Sequence, residues 1–384
     1  MHNVIQNLLC VFVLVAITAP AWGRDLPCDS EQWLDAEKSM VITDLSVVNS
    51  SQAEGNGDWS FGRAMVGALG TSDNLGTRTY NWIDQFGKVR NLNGFNVVRR
   101  TPGGLLENWP RRGPAGSNVL AGKDLDLTRS PFRLLAIVFR PDLAGADKPA
   151  GEGRFVYGAT NPQFGTKNLT VIFEFNLPTD IVFANGEQTT PAWWNRQIAE
   201  LSTMSFGASY NQRLARLTNL FAKPTTGTSH ISQVRTNDQY FGRGWDLREF
   251  HRDPDTMELI QRPVAQTPDT SLNTRGRSDL VAWVKENRDA ILAGNFKVPE
   301  RFLGGSSFLE DDVFAWFLGN RELDPQVRRE FGMNTCNGCH GRETRTRFLH
   351  IEPRLAPDEA KLSRYLTNKM VQRARNLERQ VCGN

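Results

Sequence analysis

A chain of 384 residues, 39% of them hydrophobic and 23% charged, has the composition of a globular protein. It is long enough for one large domain or two ordinary ones with ample core. A formal charge of +3 is too small to argue for a nucleic-acid partner, which rewards a strongly basic face.

Residues 1–23 read as a signal peptide. Leu8 to Thr18 is an apolar core, Pro20 follows, and Ala21-Trp22-Gly23 is a small-x-small cleavage site before Arg24. The charged region ahead of the core is weak, since no Lys or Arg precedes it. The run is too short for a membrane span, and no later run is long enough to form one. Cys10 lacks the small residues that precede a lipid-anchored cysteine. The mature chain is therefore expected to be soluble and either periplasmic or secreted, with no transmembrane segment.

Polar residues 24–57 suggest an anchoring segment and then a loop. Asp58 to Leu69 has a helical pattern through Trp59, Met65, Val66 and Leu69. After a Gly-, Pro- and Arg-rich loop over 101–122, Phe132 to Val138 is a near-continuous apolar run that fits a buried strand. Arg154 to Gly158 is a second strand candidate. Thr170 to Phe175 is a third, with Val171, Phe173 and Phe175 on one face and Thr170 and Glu174 on the other. Ile181 to Phe183 offers a possible addition. Pro191 to Thr203 and Tyr210 to Ala222 have helical spacing. Trp245 to Phe250 and Leu259 to Val264 read as a hairpin around the turn residues Asp253-Pro254-Asp255. Ser278 is placed to cap a helix that ends before Gly294.

Past the leader, four of the five cysteines remain: Cys28, Cys336, Cys339 and Cys382. Two of them form Cys336-Asn337-Gly338-Cys339-His340. C-x-x-C-H is the spacing that attaches haem c, with two thiols forming thioethers and the adjacent His binding iron. The bland alternatives are a local Cys336–Cys339 disulfide or a small metal site. A Cys2His2 zinc set of Cys336, Cys339, His340 and His350 is disfavoured, because adjacent Cys339 and His340 cannot easily both reach one tetrahedral ion. If the pair holds haem, Cys28 and Cys382 are left over, and in an oxidising compartment they are expected to pair.

Asp324-Pro325 is a helix start, and the short helix it opens delivers Cys336. Gly341 lets the backbone turn away after the His. Pro357 to Val381 reads as a final helix, with Asp358 and Glu359 in its first turn and Leu362, Leu366, Met370 and Leu377 as its apolar stripe. A helix running into C-x-x-C-H-G, a loop and a terminal helix resembles small cytochromes c over residues 320–384. That resemblance implies two helices crossing over one haem edge and a Met ligand from the loop. The loop from Gly341 to Ala356 contains no Met. A complete domain of that kind would also need the Ser278 helix and the Phe308 to Leu318 segment.

A wider resemblance spans about residues 58–354. It rests on Glu152-Gly153-Arg154-Phe155-Val156, Thr170-Val171-Ile172-Phe173-Glu174-Phe175, Trp245-Asp246-Leu247-Arg248-Glu249-Phe250, Gln266-Thr267-Pro268-Asp269 and Asn334 to His340, with Glu343-Thr344 and His350 beyond. These segments are similar to a group of secreted proteins of Gram-negative bacteria with a C-terminal C-x-x-C-H motif. The likeness implies one integrated architecture and supplies no reaction.

For the second axial position on iron, His350 is the nearest strong ligand. Extended backbone covers over about 3 Å per residue, enough to pass from one haem face to the other. Met370 is the rival, although a Met at helical spacing is usually core. An open site, or a ligand from His230 or His251, completes the set. Arg342, Arg345, Arg347 and Arg354 outnumber the acids of their loop, and Arg345 and Arg347 are candidate partners for haem propionates. A solvated basic face is the plain explanation for at least two of the four.

No G-x-S-x-G, H-E-x-x-H or phosphate-loop motif occurs. Asp124 and Asp126 fit capping, His251 fits a turn, and Trp193-Trp194 fits a helix core. The expected fold class is α+β. A mixed sheet-containing body over residues 24–270 is followed by a helical, cytochrome c-like segment over 271–384. The expected function is an exported protein with one covalent haem c, acting in electron transfer or a haem-assisted redox reaction with an unspecified redox partner protein or small substrate. The alternative is a secreted ligand-binding or surface protein in which the C-x-x-C-H segment is structural.

Overall fold

The computed structural model describes residues 25–97, 104–113, 122–161, 165–223, 228–240, 244–273, 278–305, 307–310, 316, 323–346, 349–354 and 358–383. The expected leader lies outside them. No helix among the described residues is long and apolar enough to cross a membrane.

The chain opens with α1 (Ala36–Ser39), β1 (Val41–Ile42) and α2 (Leu45–Val48), followed by α3 (Phe61–Leu69) and α4 (Leu75–Lys88). Ser60 caps α3 by accepting from the Arg63 N–H. A small hairpin, β2 (Asn91–Leu92) and β3 (Phe95–Asn96), precedes the long strands β4 (Phe132–Arg140), β5 (Glu152–Asn161) and β6 (Gly165–Asn176). Then come α5 (Pro191–Ser202), α6 (Ala208–Ala222), β7 (Ile231–Tyr240), β8 (Gly244–Arg252) and β9 (Leu259–Arg262).

The remaining elements are α7 (Ser278–Glu286), α8 (Arg288–Leu292), β10 (Ser307–Glu310), α9 (Pro325–Met333), α10 (Cys336–Cys339), β11 (Ile351–Glu352), β12 (Lys361–Leu362) and α11 (Arg364–Cys382). Among the described residues the main sheet has eight strands, ordered β1-β4-β5-β6-β7-β8-β10, with β9 also paired to β8. Every pairing in it is antiparallel. The fold is α+β, as the order of expected strands and helices suggested.

The sheet is covered on one face by α3, α5 and α6. Phe155, Tyr157, Val171, Phe173, Phe175, Val234 and Phe250 point there and are fully buried or nearly so. Each such side chain contributes about 1.5–3 kcal/mol on leaving water. Alternation along a strand then sends the even-numbered residues of β5 and β6 to the other face, and that face carries the site.

Four sequence expectations change here. Ile181 to Phe183 forms only a single bridge, Val182 to Gln188. The expected helix after Ser278 breaks at Asn287 into α7 and α8. The last helix begins at Arg364 rather than Pro357, because β12 pairs with β11 first and Ser363 makes the cap. Asp358 and Glu359 are therefore not in its first turn.

Fourth, the segment after residue 270 is woven into the body. β10 pairs with β8 in the main sheet. Met370, Ala374 and Leu377 of α11 belong to the main core. Val327 and Phe331 of α9 instead join α7 and α8 in a second cluster. The two helices expected to cross over a haem edge thus bury their apolar faces in separate cores, and part of the Phe308 to Leu318 segment is strand. The expected Cys28–Cys382 disulfide is present, with Cα atoms 5.5 Å apart, and fastens the end of α11 to the start of the described chain.

Candidate functional site

The strand register builds the second face of the sheet row by row. Arg154 lies beside Glu174, which lies beside Gln233. Ile172, Arg235 and Glu249 form the next row, and Thr170, Asn237 and Leu247 the one after. Charges of opposite sign are neighbours in the first two rows. Glu152 pairs with Lys148 and Arg154, Arg154 reaches Glu174 at 3.3 Å, and Arg235 lies 3.8 Å from Glu174 and 3.0 Å from Glu249. His251 ends the ladder 2.8 Å from Glu249.

The three carboxylates are almost completely buried. Burial pushes the Glu152 carboxyl up, but Arg154 and Lys148 outweigh it and hold it at about 2. Glu249 is depressed in the same way, burial being overcome by Arg235 and His251. Glu174 Oε1 and Asn237 Oδ1 are buried without a hydrogen-bond partner among the described residues, an arrangement that a polar group entering from this side would relieve.

Above this face stands the C-x-x-C-H turn. Asp324 caps α9 by accepting from the Gln326 N–H at 2.7 Å, with Pro325 at the first helical position. Thr335 then caps α10. Its Oγ1 accepts from the Trp316 indole at 2.8 Å and the Gly338 N–H at 3.3 Å. The Cys336 N–H donates to Thr267 Oγ1 at 2.9 Å. Gly338 is required by packing, since a Cβ there would lie 2.0 Å from the Gly332 carbonyl oxygen. Gly341 is likewise needed for space, against Asn337 O and Leu309, rather than for the backbone turn expected of it.

Between the turn and the sheet lies a cavity of about 500 Å³, within the range of small-molecule and cofactor sites. Cys336, Cys339, His340 and His350 all line it, with Tyr365 and Arg373 of α11 and the charged floor below. Both cysteines are free thiols, so the local-disulfide alternative is not the state of this structure. Burial raises the Cys336 thiol, and burial together with Cys336 lifts Cys339 to about 11. Burial, with the nearby Cys339, likewise puts Tyr365 at about 12.

The His340 ring stacks on Trp245, with centroids 4.4 Å apart and planes at 15°. His350 lies with its centroid 4.3 Å from that of His340. Its Nδ1 is 2.8 Å from Ser363 Oγ and its Nε2 is 3.4 Å from Cys339 Sγ. The β11–β12 pair holds this arrangement, and the Ser363 N–H donates to the His350 carbonyl at 2.9 Å. Burial, then the neighbouring His340 and Arg373, push the His350 pKa well below its ordinary value. The ring is neutral, the form that can ligate a metal.

The structure thus gathers Cys336, Cys339, His340 and His350. Met370 is buried in the main core and does not line the cavity. Arg345 is exposed, with φ of 55°, and is not a lining residue. Arg347 lies outside the described residues. The arginines that do line the cavity are Arg140, Arg154, Arg235 and Arg373. Sequence reading missed them, together with Tyr365 and Trp245. For Arg154 the available signal was its pairing with Glu152 at alternate positions on a strand whose other face carries Phe155 and Tyr157.

The donor set has the residue types that haem attachment uses, two thiols and the following His, all lining one cavity. Among the described residues, no group of three or more His, Cys, Asp or Glu is arranged to hold a metal ion. This counts against the Cys2His2 zinc arrangement. It is neutral toward haem, whose iron takes at most one protein ligand on each face. Set against known protein families, curated proteins and solved structures, the chain matches none.

Proposed function

We propose that this chain is an exported c-type haem protein acting in electron transfer or a haem-assisted redox reaction. Cys336 and Cys339 would carry one covalent haem, and His340 would bind its iron. Formation of each thioether adds an S–H across a vinyl group, so attachment consumes both thiols and needs no electron acceptor. The observation that carries the reading is the convergence of Cys336, Cys339, His340 and His350 on one cavity of about 500 Å³. Iron held there would supply one-electron chemistry, with a potential tuned by its ligands and burial.

The chain's own residues have distinct parts in this reading. Thr335 and Thr267 fix the turn that presents the thiols. Trp245 orients the His340 ring. His350, braced by Ser363, is the candidate for the opposite face, and the core position of Met370 favours His350 over it. The sheet and α11 supply walls of the cavity. Residues 1–23 and the Cys28–Cys382 bridge favour a periplasmic or extracellular setting.

The test is expression with active haem-maturation machinery. The denatured product is expected to stay coloured, with a mass raised by one haem, and Cys336→Ser with Cys339→Ser should abolish both. A colourless wild-type product under those conditions would overturn the proposal.

A further inference from the structure

The cavity wall nearest Cys339 holds more positive charge than its acids neutralise. On the floor the accounts close: Glu152 takes Lys148 and Arg154, while Glu174 and Glu249 take Arg235, with Arg154 also reaching Glu174. At the wall they do not. Arg140 and Arg373 share one carboxylate, Asp142. Arg140 forks onto both of its oxygens, Nε to Oδ1 at 2.8 Å and Nη2 to Oδ2 at 2.9 Å. Arg373 pairs with Oδ2 through Nε at 3.2 Å and makes no side-chain hydrogen bond among the described residues.

Both arginines line the cavity, and both side chains are only 16% exposed. Two guanidinium groups that share one carboxylate in a largely enclosed wall call for a second anion. The forked donors of Arg suit a carboxylate.

We propose that Arg140 and Arg373, set on either side of Asp142, form a carboxylate-binding seat in this cavity. The open Nη groups of Arg373 would be its main donors. Burial and the nearby Arg140 together bring the Arg373 pKa down to about 10, as expected of a cation short of a counter-charge. The carboxylate has two possible sources, a propionate of the proposed haem or a free organic acid. Only the first rests on the haem reading.

The experiment uses the full-length protein made without haem-maturation machinery. It is titrated with metal-free mesoporphyrin IX, which has propionates but no vinyl groups or iron, with the dimethyl ester of the same porphyrin, and with succinate. The expected result is binding of the diacid at least about tenfold tighter than the diester, since one charged hydrogen-bonded pair is worth about 1.5–3 kcal/mol. Arg373→Gln should remove that preference, and Arg373→Lys, which keeps the charge, should retain part of it. An unchanged urea midpoint for Arg373→Gln confirms that the fold has survived.

If neither porphyrin binds but succinate does, and Arg373→Gln abolishes it, the seat stands as a site for a free carboxylate and the haem reading loses support. If acid and ester bind equally and succinate does not bind, the seat is wrong while a porphyrin cavity survives. Binding of none of the three overturns the seat. A preference for the diacid, or succinate binding, that Arg373→Gln leaves untouched overturns it equally.

Discussion

Arg235 and Glu249 face each other directly across β7 and β8, joined at 3.0 Å under a cavity rather than in open water. Arg235 also lies 3.8 Å from Glu174 on the other side, so one guanidinium serves two buried carboxylates. Paired buried charges do not add stability over a well-packed apolar core, but breaking such a set leaves an uncompensated charge at a cost of about 3–5 kcal/mol. Arg235→Met should therefore lower unfolding free energy by about that amount in urea titrations. Adding Glu174→Gln and Glu249→Gln should recover much of the loss. If the triple variant is as unstable as the sum of its parts, the ladder is not a coupled unit.

Acid should act through the same ladder. The Glu152 carboxyl lies at about 2 in the folded chain against an ordinary value of 4.5. A depressed carboxylate gives stability that is complete above its unfolded pKa and lost as pH falls toward the folded one. Each unit of displacement corresponds to about 1.4 kcal/mol. Glu249 and Asp142 are displaced the same way. Melting temperature should be flat above pH about 5 and drop as pH falls from 4.5 toward about 2. Glu152→Gln should lower the neutral plateau and flatten part of that slope. A profile unchanged by Glu152→Gln would mean that its ion pairs are not formed.

What the sequence made legible follows from which face of an element carries the signal. β4, α5 and α6 have an apolar side against the main core, so their periodicity marks them directly. β7 has only Ile231 and Val234 as apolar anchors among polar residues, because its other face lines the cavity with Gln233, Arg235 and Asn237. No strand was expected there. The C-x-x-C-H turn was legible because its chemistry is local in sequence. Arg140 and Arg373 were not, since nothing along the chain indicates that β4 and α11 meet. The loop arginines drew attention by density alone, and Arg345 points to solvent.

The Cys28–Cys382 bridge closes nearly the whole described chain, with a sequence separation of 354. Chain-entropy arguments assign a loop of this size roughly 6 kcal/mol, and native strain or residual structure commonly reduces the effect. Cys28→Ser with Cys382→Ser should lower the urea midpoint without changing the cavity. Native hydrogen exchange should show the last turns of α11, which the bridge fastens, opening first. Equal protection of α11 with and without the bridge would show that Met370, Ala374 and Leu377 hold the helix unaided.

His350 is a partly buried imidazole with one nitrogen braced by Ser363 and the other turned toward Cys339. Its ring centre is only 4.3 Å from that of His340. Two metal–nitrogen bonds of about 2 Å would hold opposed nitrogens about 4 Å apart, with the ring centres farther still. Iron bound between them would therefore require the two rings to part.

With His350 as ligand, the loaded protein should be low-spin and lack the weak near-infrared band of methionine ligation in its oxidised form. His350→Ala should turn it high-spin and open it to carbon monoxide. Ser363→Ala should keep the ligand but raise the high-spin fraction, and should cost about 1 kcal/mol besides, because Ser363 also caps α11. Met370→Ala should leave the spectrum unchanged while destabilising the fold by about 2–5 kcal/mol, as a large-to-small change in the main core does. The reverse pattern, with Met370→Ala high-spin and His350→Ala unaffected, would move the ligand to α11 and require that helix to repack. If neither substitution alters the spin state, the ligand is not His350, and an iron open to substrate would favour a haem-assisted reaction over simple electron relay.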